Sequence, residues 1–188
     1  MHDLAPLTAL GSTEPCIVER AGLVLSEVPD LALASVAARR GVESKCTSGL
    51  EQLLGAPLPG PGKALLSQPM SAVWMGPDQW MIGAAFSEHE DLADTVKAAV
   101  STSGSVTEQS DAWACFDLAG DGVQSVLELL CNIDLTQLQS GDATRTQIHH
   151  MGCFLICGDP DHFARLLGPR SSAESLWHAI HTAMTAVL

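Results

Sequence analysis

The sequence of 188 residues has no tyrosine, only three lysines and a charged fraction of 16%. Lys and Arg number nine against 22 Asp and Glu, which gives a formal net charge of −13. Nucleic acids and anionic membrane surfaces need a basic footprint, so this balance excludes them as partners. Low charge together with an apolar fraction of 46% leaves little polar surface, which favours a subunit that other chains largely cover.

Long apolar runs are missing as well. No stretch reaches 18 consecutive apolar residues, so the sequence predicts no transmembrane helix. The first seven residues contain neither a basic segment nor a continuous apolar segment, and we therefore expect no signal peptide and a cytoplasmic protein. The length is sufficient for one large domain or for two small, closely packed ones.

Familiar catalytic motifs are absent too: G-x-S-x-G, G-x-x-x-x-G-K-[ST], G-x-G-x-x-G and H-E-x-x-H do not occur. Asp111 and Asp117 flank Trp113, and a carboxylate at such a place can act as a general base. Without a convergent His or Lys, a cap or turn role is favoured instead. We therefore expect no catalytic and no cofactor-binding residue on this chain.

Six cysteines are too dispersed for a small disulfide scaffold. His149, His150, Cys153 and Cys157 form the one candidate zinc cluster in the sequence. If the segment between the two cysteines is an extended strand, their sulfurs lie about 13 Å apart at ~3.3 Å per residue. This spacing predicts no metal site, although a zinc module made of these cysteines and His149 is a hypothesis that elemental analysis would test.

Residues 71–86 are the most informative stretch, because two apolar runs flank the turn sequence Gly76-Pro-Asp-Gln79. Pro77 presets φ for such a turn and Asp78 can hydrogen-bond its own backbone, so the stretch predicts a tight hairpin. The hairpin carries Trp74 and Trp80. Both rings can belong to the core, or one of them can face a partner, since Trp is enriched among interface anchors.

The hairpin belongs to a first unit over residues 30–110, with the predicted order β-α-β-β-α-β of a split-βαβ (ferredoxin-like) arrangement. A strand at residues 31–36 precedes a helix that ends at Gly55. Ser87 and Glu90 have the spacing of a capping box, which predicts the start of the second helix. A short strand at residues 106–109 completes the unit.

A second unit over residues 111–188 has the predicted order β-α-β-β-β-α, roughly a repeat of the first, so two split-βαβ (ferredoxin-like) units are expected. Asp121 is expected to cap its first helix with Gln124 reaching back, and strands 144–151 and 153–157 are expected to pair about Gly152. Ser171 and Glu174 form a second possible capping box before the last helix. Residues 1–29 show little periodicity and predict an N-terminal arm with a short strand at 22–26. The two units are expected to pack as one globular, α+β domain.

Two arginines stand out in a chain with few cations. Arg145 begins a strand and Arg170 precedes the last helix, and each can pair with a carboxylate on this chain or on a partner. His178 and His181 lie on the polar side of that helix, which favours a solvated or interface role. The residues expected at a partner interface are therefore Trp74, Trp80, Arg145 and Arg170.

Several short segments, in order along the chain, resemble the gamma subunit of heterotetrameric sarcosine oxidase. The most specific is Trp74-Met-Gly-Pro-Asp-Gln-Trp-Met81. The other segments are Leu33-Ala-Ser-Val-Ala-Ala-Arg-Arg-Gly41, Trp113-Ala-Cys-Phe-Asp-Leu-Ala-Gly120, Leu129-Leu-Cys-Asn-Ile-Asp-Leu135, Thr144-Arg-Thr146 and Gly168-Pro-Arg-Ser-Ser-Ala-Glu-Ser-Leu-Trp177. The resemblance implies the folate-binding fold of the glycine-cleavage aminomethyltransferase.

The resemblance also implies an assembly that oxidatively demethylates sarcosine, or a related N-methyl amine, to glycine, hydrogen peroxide and 5,10-methylenetetrahydrofolate. In that family the alpha and beta subunits hold NAD, FAD, covalent FMN and the folate site, and the delta subunit holds zinc. The gamma subunit supplies no catalytic residue that can be transferred. Related single-chain proteins carry a Lys-Gly-Cys-Tyr-type motif, and the nearest string here, Met151-Gly-Cys-Phe154, lacks the lysine. The alternative is a stand-alone folate-binding, aminomethyltransferase-like protein.

Overall fold

A computed structural model describes residues 6–187 of the chain. The chain forms two compact units, each with its own sheet and core. One unit is the contiguous segment from Asp30 to Ser110, and the other combines the residues up to Pro29 with those from Asp111 onward.

The described residues form eleven strands and four α-helices. In chain order the elements are β1 (Ile17–Arg20), β2 (Leu23–Glu27), β3 (Ala32–Ala38), α1 (Glu43–Leu54), β4 (Ala64–Leu65), β5 (Met70–Gly76), β6 (Gln79–Ala84), α2 (Leu92–Val100), β7 (Gly104–Glu108), β8 (Trp113–Ala119), α3 (Val123–Leu130), β9 (Ala143–Ile148), β10 (Met151–Asp159), β11 (Phe163–Pro169) and α4 (Ala173–Ala186). No helix within residues 6–187 has the length and apolar character needed to cross a bilayer.

The 30–110 unit has a five-stranded antiparallel sheet with the strand order β4-β5-β6-β3-β7. Strand β6 lies between β5 and β3, and β3 lies between β6 and β7, so both strand–helix–strand connections are split by one strand. This is the predicted arrangement with the addition of the two-residue β4. Helix α1 ends where the sequence indicates, because Gly55 adopts the left-handed conformation with φ 66°.

The predicted hairpin is present between β5 and β6. Its turn places Asp78 at φ 58°, a left-handed conformation that Asp adopts more readily than most residues. Trp74 and Trp80 are directly paired across the two strands. Trp80 is 7% exposed within the core, and its indole Nε1–H donates to the carbonyl of Pro59 at 3.1 Å.

The other unit has a six-stranded antiparallel sheet with the strand order β1-β2-β8-β11-β10-β9. One face packs against α3 and α4 through the inward residues of alternate strand positions, such as Leu25, Phe116 and Leu166. The predicted element order from β8 to α4 is found. The pairing differs from a split arrangement, because β11 and β10 both lie between β8 and β9.

The N-terminal segment differs from the prediction that residues 1–29 form an arm. Residues 17–27 form the β1–β2 hairpin, and β2 pairs with β8 as part of the sheet. The reason is visible in β2 itself, where Leu23 and Leu25 alternate with half-buried residues and enter the core. Residues 1–5 of the predicted arm lie outside the described residues.

Glu27 fastens the segment before the hairpin. Its buried carboxylate accepts hydrogen bonds from the backbone N–H groups of Leu10 and Cys16, at 3.0 and 3.2 Å. Two charge-assisted bonds to backbone donors compensate for the burial of a carboxylate. The segment from residue 10 to residue 16 is thereby held against β2.

Gly120 sets how closely β8 and the β1–β2 hairpin approach. Its φ is 108°, and a β-carbon at this position would lie 1.9 Å from the carbonyl oxygen of Gly22. Only glycine satisfies both the backbone conformation and the contact.

Three predicted helix starts are wrong, although the helices exist. The residue preceding each of α2, α3 and α4 makes no side-chain capping hydrogen bond, and these residues are Asp91, Gly122 and Ser172. The Ser87 hydroxyl and N–H instead bond the carboxylate of Asp30, while the Gln124 amide bonds Glu128. Ser87 is thus bonded to a residue distant in the sequence, and Gln124 to a residue within its own helix, instead of to the helix N-terminus.

The β9–β10 turn lies at His149 and His150, not at Gly152 as predicted. The two histidines have φ values of 46° and 71°, which is the pattern of a two-residue type I′ hairpin turn. Gly152 is a strand residue paired with Gln147. The turn went unrecognised because Asn and Gly are the residues that normally mark this turn type.

Candidate functional site

A groove lies at β9, which is the last strand of the six-stranded sheet. The groove is open, has a volume of about 550 Å³, and is called the edge groove below. Its lining residues come from the loop after α3, from β9 and from the start of β10; they are Asn132, Ile133, Arg145, Thr146, Gln147 and Gly152. Arg145 is the one charged residue among them.

The backbone of β9 presents hydrogen-bonding groups to the edge groove. Ile148 and Met151 flank the two-residue turn, so Ile148, Thr146 and Thr144 direct their backbone groups toward β10. The bond from the Cys157 N–H to the Asp142 carbonyl continues the same alternation. Arg145 and Gln147 therefore direct their N–H and C=O groups outward, and no other described residue hydrogen-bonds to them.

An aromatic support positions Arg145. Its guanidinium carbon lies 5.3 Å from the centroid of the Phe154 ring, in a cation–π arrangement. Arg145 and Phe154 are directly opposed and not hydrogen-bonded to one another, a pairing that brings side chains close. The Phe154 ring in turn packs edge-on against Trp113 at 5.5 Å. The side chain of Arg145 is thus held over a ring while remaining exposed.

Two residues that line the edge groove have unusual surroundings, namely Thr146 and Gly152. The hydroxyl of Thr146 is buried, with the residue 7% exposed, and has no hydrogen-bond partner. Gly152 leaves a gap beside Gln147, since no atom lies within 4 Å of the position that a β-carbon would take. Unpartnered buried hydroxyls are uncommon in folded proteins and call for a specific explanation.

The candidate zinc residues are not brought together. Cys153 and Cys157 are completely buried, whereas His149 and His150 lie exposed in the turn. Burial raises the pKa of each of these two thiols to about 11, so they are protonated at neutral pH and are poor ligands or nucleophiles. Their role in the described structure is packing, as expected for free cysteine in an apolar strand.

One group of three potential ligands exists among residues 6–187, and the sequence analysis did not select it. Asp159, Asp161 and His162 lie in the turn between β10 and β11, and all three are exposed. Hydrogen bonds from the Asp161 backbone and from His162 lower the pKa of Asp159, and Asp159 raises the pKa of His162. The groups therefore satisfy one another in a solvated turn.

The two aspartates near Trp113 have structural roles. Asp117 accepts two hydrogen bonds from Arg165, at 2.7 and 2.8 Å, across the β8–β11 pair. The hydrogen bonds to Asp117 raise the pKa of Arg165 further, so the guanidinium of this bidentate pair stays charged. Asp111 is exposed in a short 3₁₀ turn. Neither carboxylate faces a His or Lys base partner.

The four residues expected at a partner interface have different surroundings. Trp80 belongs to the core of its own unit, which corrects that expectation, whereas Trp74 is half-buried beside it. Arg170 donates to the carbonyl of Leu7 at 3.1 Å and so ties the N-terminal segment to the start of α4. Arg145 lines the edge groove. For Trp74, Arg145 and Arg170 the interface role stays a prediction.

Apart from Arg145, the residues that line the edge groove were not predicted as site residues. Thr144, Arg145, Thr146 and Gln147 form an unbroken polar run within a predicted strand, which is unusual for a strand buried on both faces. That run was the available signal for an edge strand. Asn132 and Ile133 had no comparable signal, because their place beside β9 depends on the crossover through α3.

Solved structures provide the informative comparisons. No protein-family model and no curated protein matches the sequence. A chain of the heterotetrameric sarcosine oxidase from Corynebacterium sp. U-96, solved in complex with pyrrole 2-carboxylate, is similar with a TM-score of 0.77 and 22% identity. The similarity covers 90% of this chain and 87% of that chain.

The glycine cleavage system aminomethyltransferase T from Bartonella henselae is also similar, with a TM-score of 0.62 and 14% identity over 86% of this chain. The chain spans 46% of that protein, somewhat less than half of its length. At these identities the likeness concerns the fold. The chain therefore has the mixed α+β fold, with two antiparallel sheets and four helices, that these two proteins share.

Proposed function

We propose that the chain is a non-catalytic assembly subunit, of the gamma type, in a heterotetrameric sarcosine oxidase-type complex. One observation carries the proposal: the fold is similar along nearly the whole of both chains to a chain of such an oxidase. The partners would be alpha, beta and delta subunits. FAD, FMN, NAD, tetrahydrofolate and zinc would be held by those partners. The complex would convert sarcosine or a related N-methyl amine into glycine, hydrogen peroxide and 5,10-methylenetetrahydrofolate.

The chemistry of the described residues supports a non-catalytic role. Asp117 is engaged with Arg165, and the buried thiols of Cys115, Cys153 and Cys157 have pKa values raised to between about 11 and 12. A nucleophile needs an adjacent base or a lowered pKa, and a general base needs a reachable substrate proton. The Asp117 carboxylate and these three thiols therefore lack the surroundings that either role requires.

Independent folate chemistry fits the chain less well. The string nearest to the motif of the single-chain folate proteins begins β10, where Met151 stands in place of the lysine and Cys153 is fully buried in the helix-facing core. This difference favours the assembly subunit over the stand-alone aminomethyltransferase-like protein.

Co-expression with the alpha, beta and delta subunits of a sarcosine oxidase tests the proposal. We expect the chain to co-purify in one flavin-containing complex that releases hydrogen peroxide from sarcosine. We also expect the chain alone to give no heat of binding with tetrahydrofolate in titration calorimetry. Purification of the three other subunits as an active complex that excludes this chain would overturn the proposal. Tight tetrahydrofolate binding by the isolated chain would favour the alternative function.

A further inference from the structure

We infer that the edge groove binds an extended segment of a partner polypeptide, which pairs with β9 as an additional strand and places a carboxylate side chain opposite Arg145. This inference deepens the proposed function, because it names the surface by which the chain joins its assembly.

The backbone of β9 is the first reason. Arg145 and Gln147 each present one outward N–H donor and one outward C=O acceptor, and these groups have no partner among the described residues. An alternating row of donors and acceptors matches an extended polypeptide, which offers the same row in return. A small anion would use the donors alone.

Charge is the second reason. Arg145 is the single charged side chain that lines the groove, in a chain with a net charge of −13. The Phe154 ring, on the neighbouring strand β10, packs against its guanidinium and carries no charge that would neutralise it. Opposite charges on directly facing strand positions attract, and Arg binds a carboxylate through two parallel hydrogen bonds. A carboxylate opposite Arg145 is therefore the recognised feature of the segment.

Space is the third reason. Asn132 and Ile133, from the loop after α3, line the groove together with Arg145, Thr146 and Gln147 of β9. The volume of about 550 Å³ lies within the ~300–1,000 Å³ typical of binding pockets. The groove therefore offers room beside β9 for a short extended segment.

Capped five-residue peptides test the recognition directly on the whole chain. The two probes are Thr-Val-Glu-Val-Thr and the same peptide with Lys in place of Glu, titrated while backbone amide resonances are followed by NMR. We expect the Arg145 and Gln147 amides to shift, with the Glu peptide binding about tenfold more tightly than the Lys peptide. The preference should reverse in the Arg145→Glu variant.

Gln147 provides a matched pair of variants. Its N–H points away from β10, so Gln147→Pro removes an outward donor without removing a bond inside the sheet, a change that edge strands tolerate. Gln147→Pro should abolish peptide binding, whereas Gln147→Ala keeps the donor and should bind like the natural sequence. Equal binding of both peptides, equal binding by both Gln147 variants, or no shift at the β9 amides would overturn the inference.

Hydrogen exchange in the co-expressed complex separates the two proposals. In the free chain the Arg145 and Gln147 amides should exchange rapidly, while the Thr144 and Thr146 amides are protected by β10. Assembly should slow the first two by at least about tenfold. A complex in which they still exchange as in the free chain would overturn the inference and leave the proposed function standing. Failure to assemble would overturn the proposed function, and the peptide titration would then decide the inference alone.

Discussion

From β3 and from β8 onward the two units both run from a strand through a helix into antiparallel strands, but their strand pairing differs. In the 30–110 unit α2 follows the third principal strand, so β7 returns on the far side of β3. In the other unit a short turn follows β10, so β11 pairs directly with β10 and β8 pairs with β11. As a result, one strand (β6) separates β3 from β5, whereas two strands (β11 and β10) separate β8 from β9.

The first long strand after the first helix differs between the units. In the 30–110 unit this strand is β5, and the two-residue β4, which precedes it, pairs with part of its outer edge. In the other unit it is β9, whose connection from α3 forms no strand and leaves the outer edge of β9 unpaired among the described residues. Proteins usually cover or charge such an edge to prevent unwanted pairing. The outer edge of β1, at the other end of the same sheet, is also unpaired within residues 6–187, so the β9 edge is distinguished by the groove and by Arg145.

The largest expected effect tests whether the N-terminal hairpin belongs to the second unit. Leu25→Ala removes a side chain that is 0% exposed against α3 and α4, and we expect a loss of ~2–5 kcal/mol in the free energy of unfolding. Ile17→Ala, at a position 64% exposed on β1, is the control and should cost well under half as much. Chemical denaturation measures both. Equal, small losses would restore the description of a detached arm.

Gly120 gives the next test of that sheet. Gly120→Ala places a β-carbon against the Gly22 carbonyl at an unfavourable φ, so we expect a loss of about 2–4 kcal/mol from strain and steric conflict. Gly122→Ala shares the positive φ of 94°, but its nearest neighbour is at 3.7 Å. That control isolates the conformational cost. Thermal denaturation measures both variants. If the two lose similar stability, the contact with the Gly22 carbonyl is not the reason that residue 120 is glycine.

The next prediction tests the role of Trp80 in the core of the 30–110 unit. Trp80→Phe deletes the hydrogen bond to the Pro59 carbonyl and part of a buried ring, with an expected loss of ~1–3 kcal/mol. Trp74→Phe, at the half-buried partner position, should cost less. Tryptophan fluorescence followed during urea unfolding reports both variants. The reverse order of stability would place Trp74, not Trp80, in the core.

The smallest expected effect concerns the turn that distinguishes the second unit. Contact with Asp159 and Asp121 raises the pKa of His162 from 6.5, so its stabilisation is complete below pH 6.5 and is lost as pH rises through the raised value. The pKa of Asp159 is lowered from 3.8, so its stabilisation is complete above pH 3.8 and is lost as pH falls through the lowered value. Both contributions are complete between these values.

The melting temperature should therefore show a small advantage of the natural sequence over His162→Gln between pH 3.8 and 6.5. The advantage should shrink toward higher pH. Screening by solvent keeps it small, because all of these groups are exposed. An advantage that grows above neutral pH would show that His162 acts in its uncharged form.

The sequence by itself determined the features that depend on neighbouring residues. The β5–β6 hairpin follows from Pro77 and Asp78, and the end of α1 follows from Gly55, because backbone preference acts within a few residues. The α+β class and the order of elements in each unit also follow from local periodicity. The net charge of −13 and the three lysines are likewise properties of the sequence, and the exclusion of nucleic acids and anionic membranes that they indicate stays a prediction.

The tertiary structure alone decided what depends on distant partners. Strand order, the docking of β2 on β8 and the exposure of the β9 edge require contacts between residues tens of positions apart. Ser87 is a small example. Its local sequence predicts a helix cap, but its hydroxyl donates a hydrogen bond to Asp30, 57 residues away in the chain. A short motif states which bonds a residue can make. The folded chain decides which of the competing partners comes close enough to make them.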